Sequence, residues 1–315
     1  QLLIRYPAGL LKMIMNINPD VVVGLEFRLD CILGALWARL NGRGYVIWSD
    51  MTVHHDMRMG RLRRGNRHFL VSLSHTLIAS CTDTIDHFCD NFGFDRSKTF
   101  LSSLSAHILE HMASVQLPET VTPESLEDGR VRFVYVGELT PRKGVDLLIR
   151  AFARLLESVP NALLNLIGKG VDRESLEALT KELGCEQSVI FRGSVPYEAV
   201  LNEMCGHDAF VLPARLDVFG LVVAEAVACG LPVISSCYAG ASRDMVKENG
   251  LIVDPENVEE MASAMEEIAK DPQKWREAGK AGKELLHQYD LPIAVQKYGD
   301  AIEVALQNAR RAKKG

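Results

Sequence analysis

The sequence predicts an α/β protein composed of two doubly wound domains, with the cleft between them as the expected binding site. Three observations lead to this prediction. Short apolar runs of strand length alternate with helical patterns, a polar segment divides that alternation into two parts, and 315 residues suffice for two hydrophobic cores. Uniformly apolar strands separated by helices are typical of parallel sheets covered on both faces, whose ligands bind beyond the carboxyl ends of the strands.

Residues 1–119 are predicted to form the first domain. The run DVVVGLEF at 20–27 is rich in β-branched residues and precedes a helical pattern at 30–40. The stretch 120–130 is polar, acidic and contains proline, which predicts a linker. Further strand candidates of the first domain are 45–49, 76–80 and 98–103.

Residues 131–290 are predicted to form the second domain, in which the alternation is clearer. The apolar residues of the helix predicted at 144–157 fall on a single stripe, as expected for a helix that covers a sheet. The tail at 291–315 is helical and amphipathic, and we expect it to pack back toward the first domain. The strand candidates here are 131–136, 163–167, 189–192, 209–212, 232–235 and 251–253.

Charge and cysteine content limit the classes of function. The formal net charge of −6 argues against general nucleic-acid binding, but residues 1–118 carry twelve Lys and Arg against ten Asp and Glu, which suits contact with an anion. The seven cysteines include no pair or Cys–His cluster with metal-ligand spacing, which predicts reduced thiols in a cytoplasmic protein. No apolar stretch is long enough to predict a membrane span.

An isolated carboxylate marks the most apolar part of the second domain. Glu225 is the only charged residue between Asp217 and Arg243, and a buried carboxylate without a partner is costly. Two carboxylates, one ahead of a helix and one on it, can accept paired hydrogen bonds from sugar hydroxyls, and the helix start can receive an anion. The alternative is that Asp217 caps the helix and that local backbone or an Arg satisfies Glu225.

Two cations lie at another predicted helix start. Arg142 and Lys143 precede the helix at 144–157, where positive charge opposes the helix dipole, and a bound diphosphate would compensate for it. A solvated basic turn is the alternative. A second glycine turn, Gly168 to Gly170, follows the next strand, but such a turn alone is often only a tight strand–helix connection.

Taken in order, these motifs resemble a known enzyme family. The segments GELTPRKGVDLLIRAF, LIGKG, VIFRGSVP, FVLPARLDVFGLVVAEAVACGLPVIS and NGLIVDP are similar to those of the retaining, nucleotide-sugar-dependent glycosyltransferases of family 4 (group 1). The resemblance covers residues 131–255 in full order and implies the GT-B fold, two Rossmann-type domains facing a cleft. PDVVV, VIWSD and GFDRSKTFL resemble the later part of that family's acceptor domain more loosely.

The resemblance implies roles for individual residues. Asp217 and Glu225 match the acids of an E-x7-E pattern, of which the first lies near the transferred sugar and the second binds the ribose; the first is Asp here. Arg142 and Lys143 match a cationic pair that neutralises the diphosphate, whereas Glu138 stands where the family often has Arg. The further positions implied for donor binding are Gly137, Gly168, Gly170, Ser194, Val195, Phe219, Gly220 and Leu221.

In the first domain, the resemblance implies a truncated version of the acceptor domain, because the family's glycine-rich first unit has no counterpart before PDVVV. A partner chain that completes this domain is therefore an expectation. By its spacing, Asp50 matches a position that lines the cleft in that family and is counted with the catalytic residues; an ordinary polar loop is the alternative. A run of arginines predicts contact with an anionic membrane surface or a lipid-linked acceptor, although a solvated basic face is the commoner interpretation. These residues are Arg58, Arg61, Arg63, Arg64 and Arg67.

These inferences favour a retaining glycosyltransferase that moves a sugar from a nucleoside-diphosphate sugar to a glycan or glycolipid acceptor. It would act in the cytoplasm or peripherally on the membrane, in the synthesis of a surface polysaccharide or lipid-linked glycan. We expect no metal, no other cofactor and no nucleic-acid partner. The alternatives are a truncated, non-catalytic transferase-like subunit that binds nucleotide or a partner chain, and a GT-B epimerase.

Overall fold

A computed structural model describes residues 9–57, 61–105, 108 and 129–312. The chain divides into two compact units, of which the first combines Gln1–Leu104 with Leu291–Gly315 and the second is Ser105–Asp290. Of the predicted linker at 120–130, all but the last two residues lie outside the described ranges.

The first unit contains a parallel sheet of four strands in the order β1-β2-β3-β4. The strands are β1 Val21–Leu25, β2 Gly44–Ser49, β3 Thr76–Ala79 and β4 Thr99–Leu101. The helices are α1 Leu10–Ile17, α2 Leu29–Leu40, α3 Val53–Met57, α4 Arg61–Leu73 and α5 Thr82–Phe92, with a 3₁₀ turn at Arg96–Lys98. The four strands predicted from apolar runs are thereby confirmed.

The second unit contains a parallel sheet of six strands in the order β10-β9-β8-β5-β6-β7. The strands are β5 Arg132–Val136, β6 Leu163–Ile167, β7 Val189–Gly193, β8 Ala209–Leu212, β9 Val233–Ser236 and β10 Gly250–Val253. The helices are α6 Val145–Ser158, α7 Arg173–Glu182, α8 Tyr197–Cys205, α9 Leu221–Ala228, α10 Ser242–Met245, α11 Val258–Lys270 and α12 Pro272–Gly282, with 3₁₀ turns at Pro141–Lys143 and Lys283–Tyr289. All six predicted strands are confirmed.

The strand order of the second sheet reverses at β5. This strand pairs with β6 on one side and with β8 on the other. In parallel α/β sheets, such a reversal opens a crevice at the carboxyl ends of the two strands where the order changes. The loops that follow β5 and β8 therefore meet at one place, which is the natural position for a ligand.

Each sheet has its own core. Tyr45 and Phe88 are the largest fully buried side chains of the first unit, and Phe133 and Phe210 are among those of the second. Burial of such side chains is the main favourable contribution to folding. The stripe predicted for α6 is buried as expected, through Val145, Leu148, Ile149, Phe152 and Leu155.

The last helix, α13 Leu291–Ala312, packs on the first sheet. Small side chains form its buried face, and they allow the helix backbone to approach the strands closely. The Thr76 hydroxyl donates a hydrogen bond to Ala301 O at 3.0 Å, which anchors the helix to β3. The buried alanines are Ala294, Ala301, Ala305 and Ala309.

Candidate functional site

The loops after β5 and β8 bring a lysine and an aspartate into contact. Lys143 ends the 3₁₀ turn that precedes α6, and Asp217 lies in the loop between β8 and α9. Lys143 Nζ lies 2.5 Å from Asp217 Oδ2, and only 13% and 11% of the two side chains are exposed. Removing one partner of such a buried pair would leave an uncompensated charge. Two residues from separate sequence motifs thus occupy one point of the site.

Arg142 lies beside this pair and remains partly exposed. Its Nη1 donates to Leu216 O at 3.0 Å, and its own carbonyl oxygen accepts a hydrogen bond from Arg215 N at 3.0 Å. Glu138 Oε2 lies 3.9 Å from Arg142 Nη2, and the Glu138 side chain is 69% exposed. An exposed ion pair at this separation contributes little free energy. Arg142 can therefore exchange Glu138 for a ligand anion at low cost.

Arg215 joins the same two loops, although nothing in the sequence singled it out. Its guanidinium donates to both carboxylate oxygens of Asp146, at 2.7 and 2.8 Å, and to Pro141 O at 2.9 Å. Glu256 Oε1 accepts from Arg215 Nε at 2.9 Å. Burial acts to raise the pKa of Asp146, but the hydrogen bonds and charge of Arg215 outweigh it and hold that pKa below its usual value. Arg215 is a positioning residue that holds the turn containing Lys143.

Backbone contacts join the loops that follow β5 and β6 to each other and to the last residue of β7. Gly168 N donates to Gly193 O at 2.8 Å. A Cβ on Gly168 would lie 1.8 Å from Gly137 O, so no side chain fits there. Gly170 packs in the same way on Leu139 O. The sequence allowed this glycine turn to be only a tight connection between a strand and a helix. The tightness of that connection alone explains why position 168 must be glycine.

The isolated Glu225 is buried on α9 and contacts a tyrosine. It is 6% exposed, and burial raises its pKa, while a hydrogen bond with the Tyr197 side chain opposes the rise. Tyr197 begins α8, directly after the loop that contains the exposed Ser194 and the half-buried Val195. The tyrosine, which the sequence analysis did not identify, therefore connects Glu225 with that loop.

The start of α9 is shaped by three consecutive residues. Phe219 is 4% exposed, and its carbonyl oxygen accepts a hydrogen bond from Ala241 N at 2.6 Å. Gly220 follows with a φ of 83°, and Leu221 is the first helical residue. The buried Phe219 thus fixes the point at which the helix begins, next to the loop that carries Asp217.

Two carboxyl groups meet at the carboxyl edge of the first sheet. Glu26 follows β1, and Asp50 follows the neighbouring β2. Glu26 Oε1 accepts hydrogen bonds from Ser49 Oγ at 2.9 Å and from Asp50 N at 3.1 Å. Burial, followed by the hydrogen bond and charge of the Asp50 carboxyl group, raises the pKa of Glu26 to about 7. Glu26 therefore keeps its proton up to near neutral pH, and it is a site residue that sequence patterns did not identify.

Replacing Glu26 by Gln is expected to stabilise the protein relative to wild type as the pH rises from 5 to 8. In the folded protein Glu26 keeps its proton up to about pH 7, whereas in the unfolded chain it ionises around 4.5. The wild-type free energy of unfolding therefore falls through this interval, because the unfolded state releases the proton first. The amide retains the acceptor oxygen and can donate to Asp50. We expect the difference between E26Q and wild type to grow by about 1 kcal/mol or more.

Urea unfolding at several pH values measures this difference. Glu303→Gln alters an exposed glutamate of the same unit and serves as the matched control, with no pH-dependent change expected. Parallel pH profiles for E26Q and wild type would contradict the raised pKa of Glu26.

The predicted basic contact surface is only partly described. Arg67 differs from the prediction, because it is 5% exposed, forms an ion pair with Asp56 and lies with its guanidinium 5.0 Å from the centre of the Phe27 ring. A charge paired in this way belongs to the interior and does not contact a membrane. Arg58 lies outside the described residues, and the first turn of α4 contains Arg61, Arg63 and Arg64. Within the ranges described, no helix has the length and apolar character needed to cross a bilayer.

Comparison with known proteins gives a family and several relatives. The sequence pattern of the family described as glycosyl transferases group 1 matches residues 119–285. A GDP-mannose-dependent monoacylated alpha-(1-6)-phosphatidylinositol monomannoside mannosyltransferase of Corynebacterium glutamicum is 31% identical in an alignment of length 206 that covers 59% of this chain and 54% of that protein. A GDP-mannose-dependent alpha-(1-6)-phosphatidylinositol monomannoside mannosyltransferase of Mycolicibacterium smegmatis is 34% identical in an alignment of length 158 that covers 48% of this chain and 41% of that protein. The chain thus spans about half the length of the curated relatives it matches.

Solved structures share the fold. Anabaena HepE in complex with UDP superposes with a TM-score of 0.77 at 19% identity, over 93% of this chain and 81% of that chain. The lipopolysaccharide outer core galactosyltransferase WaaB gives a TM-score of 0.70 at 20% identity, over 92% of this chain and 77% of that one. The GT-B-like fold implied by the sequence resemblance is confirmed.

Proposed function

Because this chain belongs to the group 1 glycosyl transferases, we propose that it transfers a sugar from a nucleoside-diphosphate sugar to a glycan or glycolipid acceptor, with retention of the anomeric configuration. The observation that supports this most directly is the contact of Lys143 with Asp217, 2.5 Å apart, beside the reversal of strand order in the second sheet. A cation and a carboxylate at one point suit a ligand in which a diphosphate and a polyhydroxyl sugar are joined by a single bond.

In the proposed complex, Lys143 and Arg142 neutralise the diphosphate, and Asp217 accepts hydrogen bonds from hydroxyls of the transferred sugar. Glu225 accepts hydrogen bonds from the ribose, and Tyr197 orients that carboxyl group. The backbone around Gly220 approaches the sugar and the phosphate. The remaining donor contacts are proposed for Gly137, Gly168, Gly170, Ser194, Val195, Phe219 and Leu221.

The proposed reaction breaks the bond between the anomeric carbon and the diphosphate oxygen, and that oxygen keeps the electron pair. An acceptor hydroxyl forms the new bond on the same face of the sugar, and its proton passes to the departing phosphate. Lys143 and Arg142 stabilise the charge that develops on the leaving group, because fixed cations act most strongly where solvent is excluded. This chemistry is proposed to proceed without a metal ion, so chelating agents should leave the rate unchanged.

The names of the relatives support a choice of substrates. Two mannosyltransferases that share more than 30% identity with this chain are named as GDP-mannose-dependent and as acting on phosphatidylinositol monomannosides. We therefore propose GDP-mannose as the first donor to test and a glycolipid as the acceptor. Asp50, with Glu26 beside it, is proposed to contact the acceptor. Arg58, Arg61, Arg63 and Arg64 are proposed to contact anionic lipid at a membrane surface, which flotation with anionic and neutral vesicles tests.

Calorimetric titration with GDP, UDP and ADP, followed by measurement of sugar release and transfer from the matching donors, tests the proposed function. We expect one nucleotide to bind, its sugar to be transferred, and the anomeric configuration of the product to match that of the donor. Binding without release would favour the non-catalytic subunit, which a partner chain completes, and conversion into an epimeric nucleotide sugar would favour the epimerase. Failure of all three nucleotides to bind would overturn the proposal.

A further inference from the structure

A polar cavity lies at the end of the first sheet opposite to Glu26 and Asp50. Its walls come from the amino ends of β2 and β3 and from the carboxyl ends of α2 and α13. The cavity has a volume of about 430 Å³, and its lining, as far as the chain is described, contains no acidic side chain. The polar residues that line it are Arg39, Asn41, Arg43 and His75, and Ala309 and Ala312 close it on the side of α13.

The tautomer of His75 follows from its surroundings. His75 is 8% exposed, and its Nδ1 accepts a hydrogen bond from Tyr45 N at 3.1 Å. A neutral imidazole has one N–H, so the hydrogen must be on Nε2 when Nδ1 is an acceptor. Burial, together with the charge of Arg39, lowers the pKa of His75, which favours the neutral ring. Nε2–H is therefore a buried donor.

This donor faces a second donor. Arg39 Nη1 lies 3.4 Å from His75 Nε2, and a guanidinium cannot act as an acceptor. The contact is therefore not a hydrogen bond, because both nitrogen atoms present N–H groups. Because the described lining of this cavity contains no carboxylate, the two donors can share an acceptor that enters from outside the chain. An anionic oxygen is the strongest acceptor for such a pair.

Arg43 contributes in a different way. Its guanidinium forms an ion pair with Asp20 and donates to Asn18 Oδ1 at 3.0 Å. Two of its three guanidinium nitrogens are thereby engaged, and the Asp20 carboxylate offsets its charge at the cavity wall. Arg39 and His75 remain the groups that can bind a ligand directly.

We propose that this cavity binds a phosphoryl oxyanion through His75 Nε2–H and the Arg39 guanidinium. A phosphoryl group presents three oxygen atoms in a tetrahedral arrangement, which allows one of them to accept from both donors. The cavity is larger than a free phosphate ion requires. It therefore has room for a phosphoryl group that is part of a small molecule or of a lipid headgroup, as well as for the free ion. This site lies wholly in the first unit, and it does not depend on the function proposed for the second.

The test observes the His75 ring directly in the whole chain, labelled with ¹⁵N-histidine, during titration with inorganic phosphate. Without phosphate, the ring should show the Nε2–H tautomer. Phosphate should shift this signal saturably, and Arg39→Gln should weaken binding by about tenfold or more, as expected for loss of a charge-assisted contact. Arg96→Gln is the matched control, because Arg96 is an exposed arginine of the same unit that pairs with Asp86. The control should bind as wild type does.

Further arms of the experiment distinguish the sources of the phosphoryl group. A sugar phosphate and vesicles containing phosphatidic acid are titrated in the same way, with phosphatidylcholine vesicles for comparison. A response to phosphate or sugar phosphate identifies a small-molecule ligand, and a response only to phosphatidic acid identifies a headgroup. An Nδ1–H tautomer, a response that does not saturate, or equal affinities of R39Q and wild type would overturn the proposal.

Discussion

Replacing Lys143 by Ala is expected to lower the rate of sugar transfer by about 10²- to 10³-fold, the range found when one group that stabilises developing charge is removed. Lys143 Nζ lies 2.5 Å from Asp217 Oδ2 in a largely buried position. In the proposed reaction, the departing diphosphate gains negative charge in the transition state, so a cation fixed at this point stabilises the transition state more than the bound donor. We expect the rate constant for transfer, measured with donor in excess, to fall by a larger factor than the affinity for the donor.

Stability must be separated from catalysis in this experiment. K143A leaves the Asp217 carboxylate buried without its cation, which costs about 3–5 kcal/mol for a pair of this kind. The double variant K143A/D217N removes the unpaired charge and should recover most of that stability while the transfer rate stays low. Lys181→Ala, at an exposed position of α7, should change neither quantity. Wild-type turnover in K143A would refute the role assigned to Lys143.

The strands could be predicted because their signal is local. Each apolar run identifies a buried strand from its own residues, and all ten predicted strands are present with boundaries shifted by a few residues at most. The meeting of Lys143 with Asp217 has no such signal. The two residues are 74 positions apart, and they meet because β5 and β8 are neighbours in the sheet. Only the resemblance to a family, and not spacing, placed them in one site.

The missed residues share a cause. Arg215 pairs with Asp146 across 69 positions, and Glu26 meets Asp50 across 24, so neither pairing can be read from a local pattern. One signal was available for Glu26, because an acid that directly follows a strand in a parallel sheet lies near residues that end neighbouring strands. Arg67 was wrongly grouped with its neighbouring arginines, since a run of charges does not show which member turns inward.

For Glu225, the apolar composition of the segment predicted burial but not the partner of the carboxyl group. An apolar surrounding predicted that Glu225 is buried and needs a partner, and its burial is confirmed. The sequence left a ligand, local backbone or an Arg as partners. The structure supplies Tyr197, from a helix whose packing against α9 no pattern in the sequence specifies. A tyrosine hydroxyl satisfies only part of the capacity of a carboxylate to accept hydrogen bonds, so Glu225 retains acceptor capacity that the proposed ribose contact would use.

Gly144→Ala is expected to destabilise the protein far more than Gly184→Ala, although the two glycines have φ angles of 66° and 68°. The left-handed conformation costs an alanine about 1 kcal/mol at either position. A Cβ at Gly144 would lie 2.1 Å from Pro213 O, whereas nothing lies within 4 Å of one at Gly184. The overlap adds strain, so we expect a total loss of about 3 kcal/mol or more for Gly144→Ala. Urea unfolding of both variants measures the difference.

The same pair of variants tests whether the site depends on the approach of its two loops. Gly144 directly follows Lys143, and Pro213 begins the loop that leads to Asp217. Relief of the overlap requires these loops to separate, which lengthens the contact between Lys143 and Asp217. Transfer by Gly144→Ala should therefore fall even at temperatures where the variant is fully folded, while Gly184→Ala keeps the wild-type rate. Equal losses of stability and activity in both variants would show that the conformation of glycine alone, and not the close approach of the loops, is what position 144 requires.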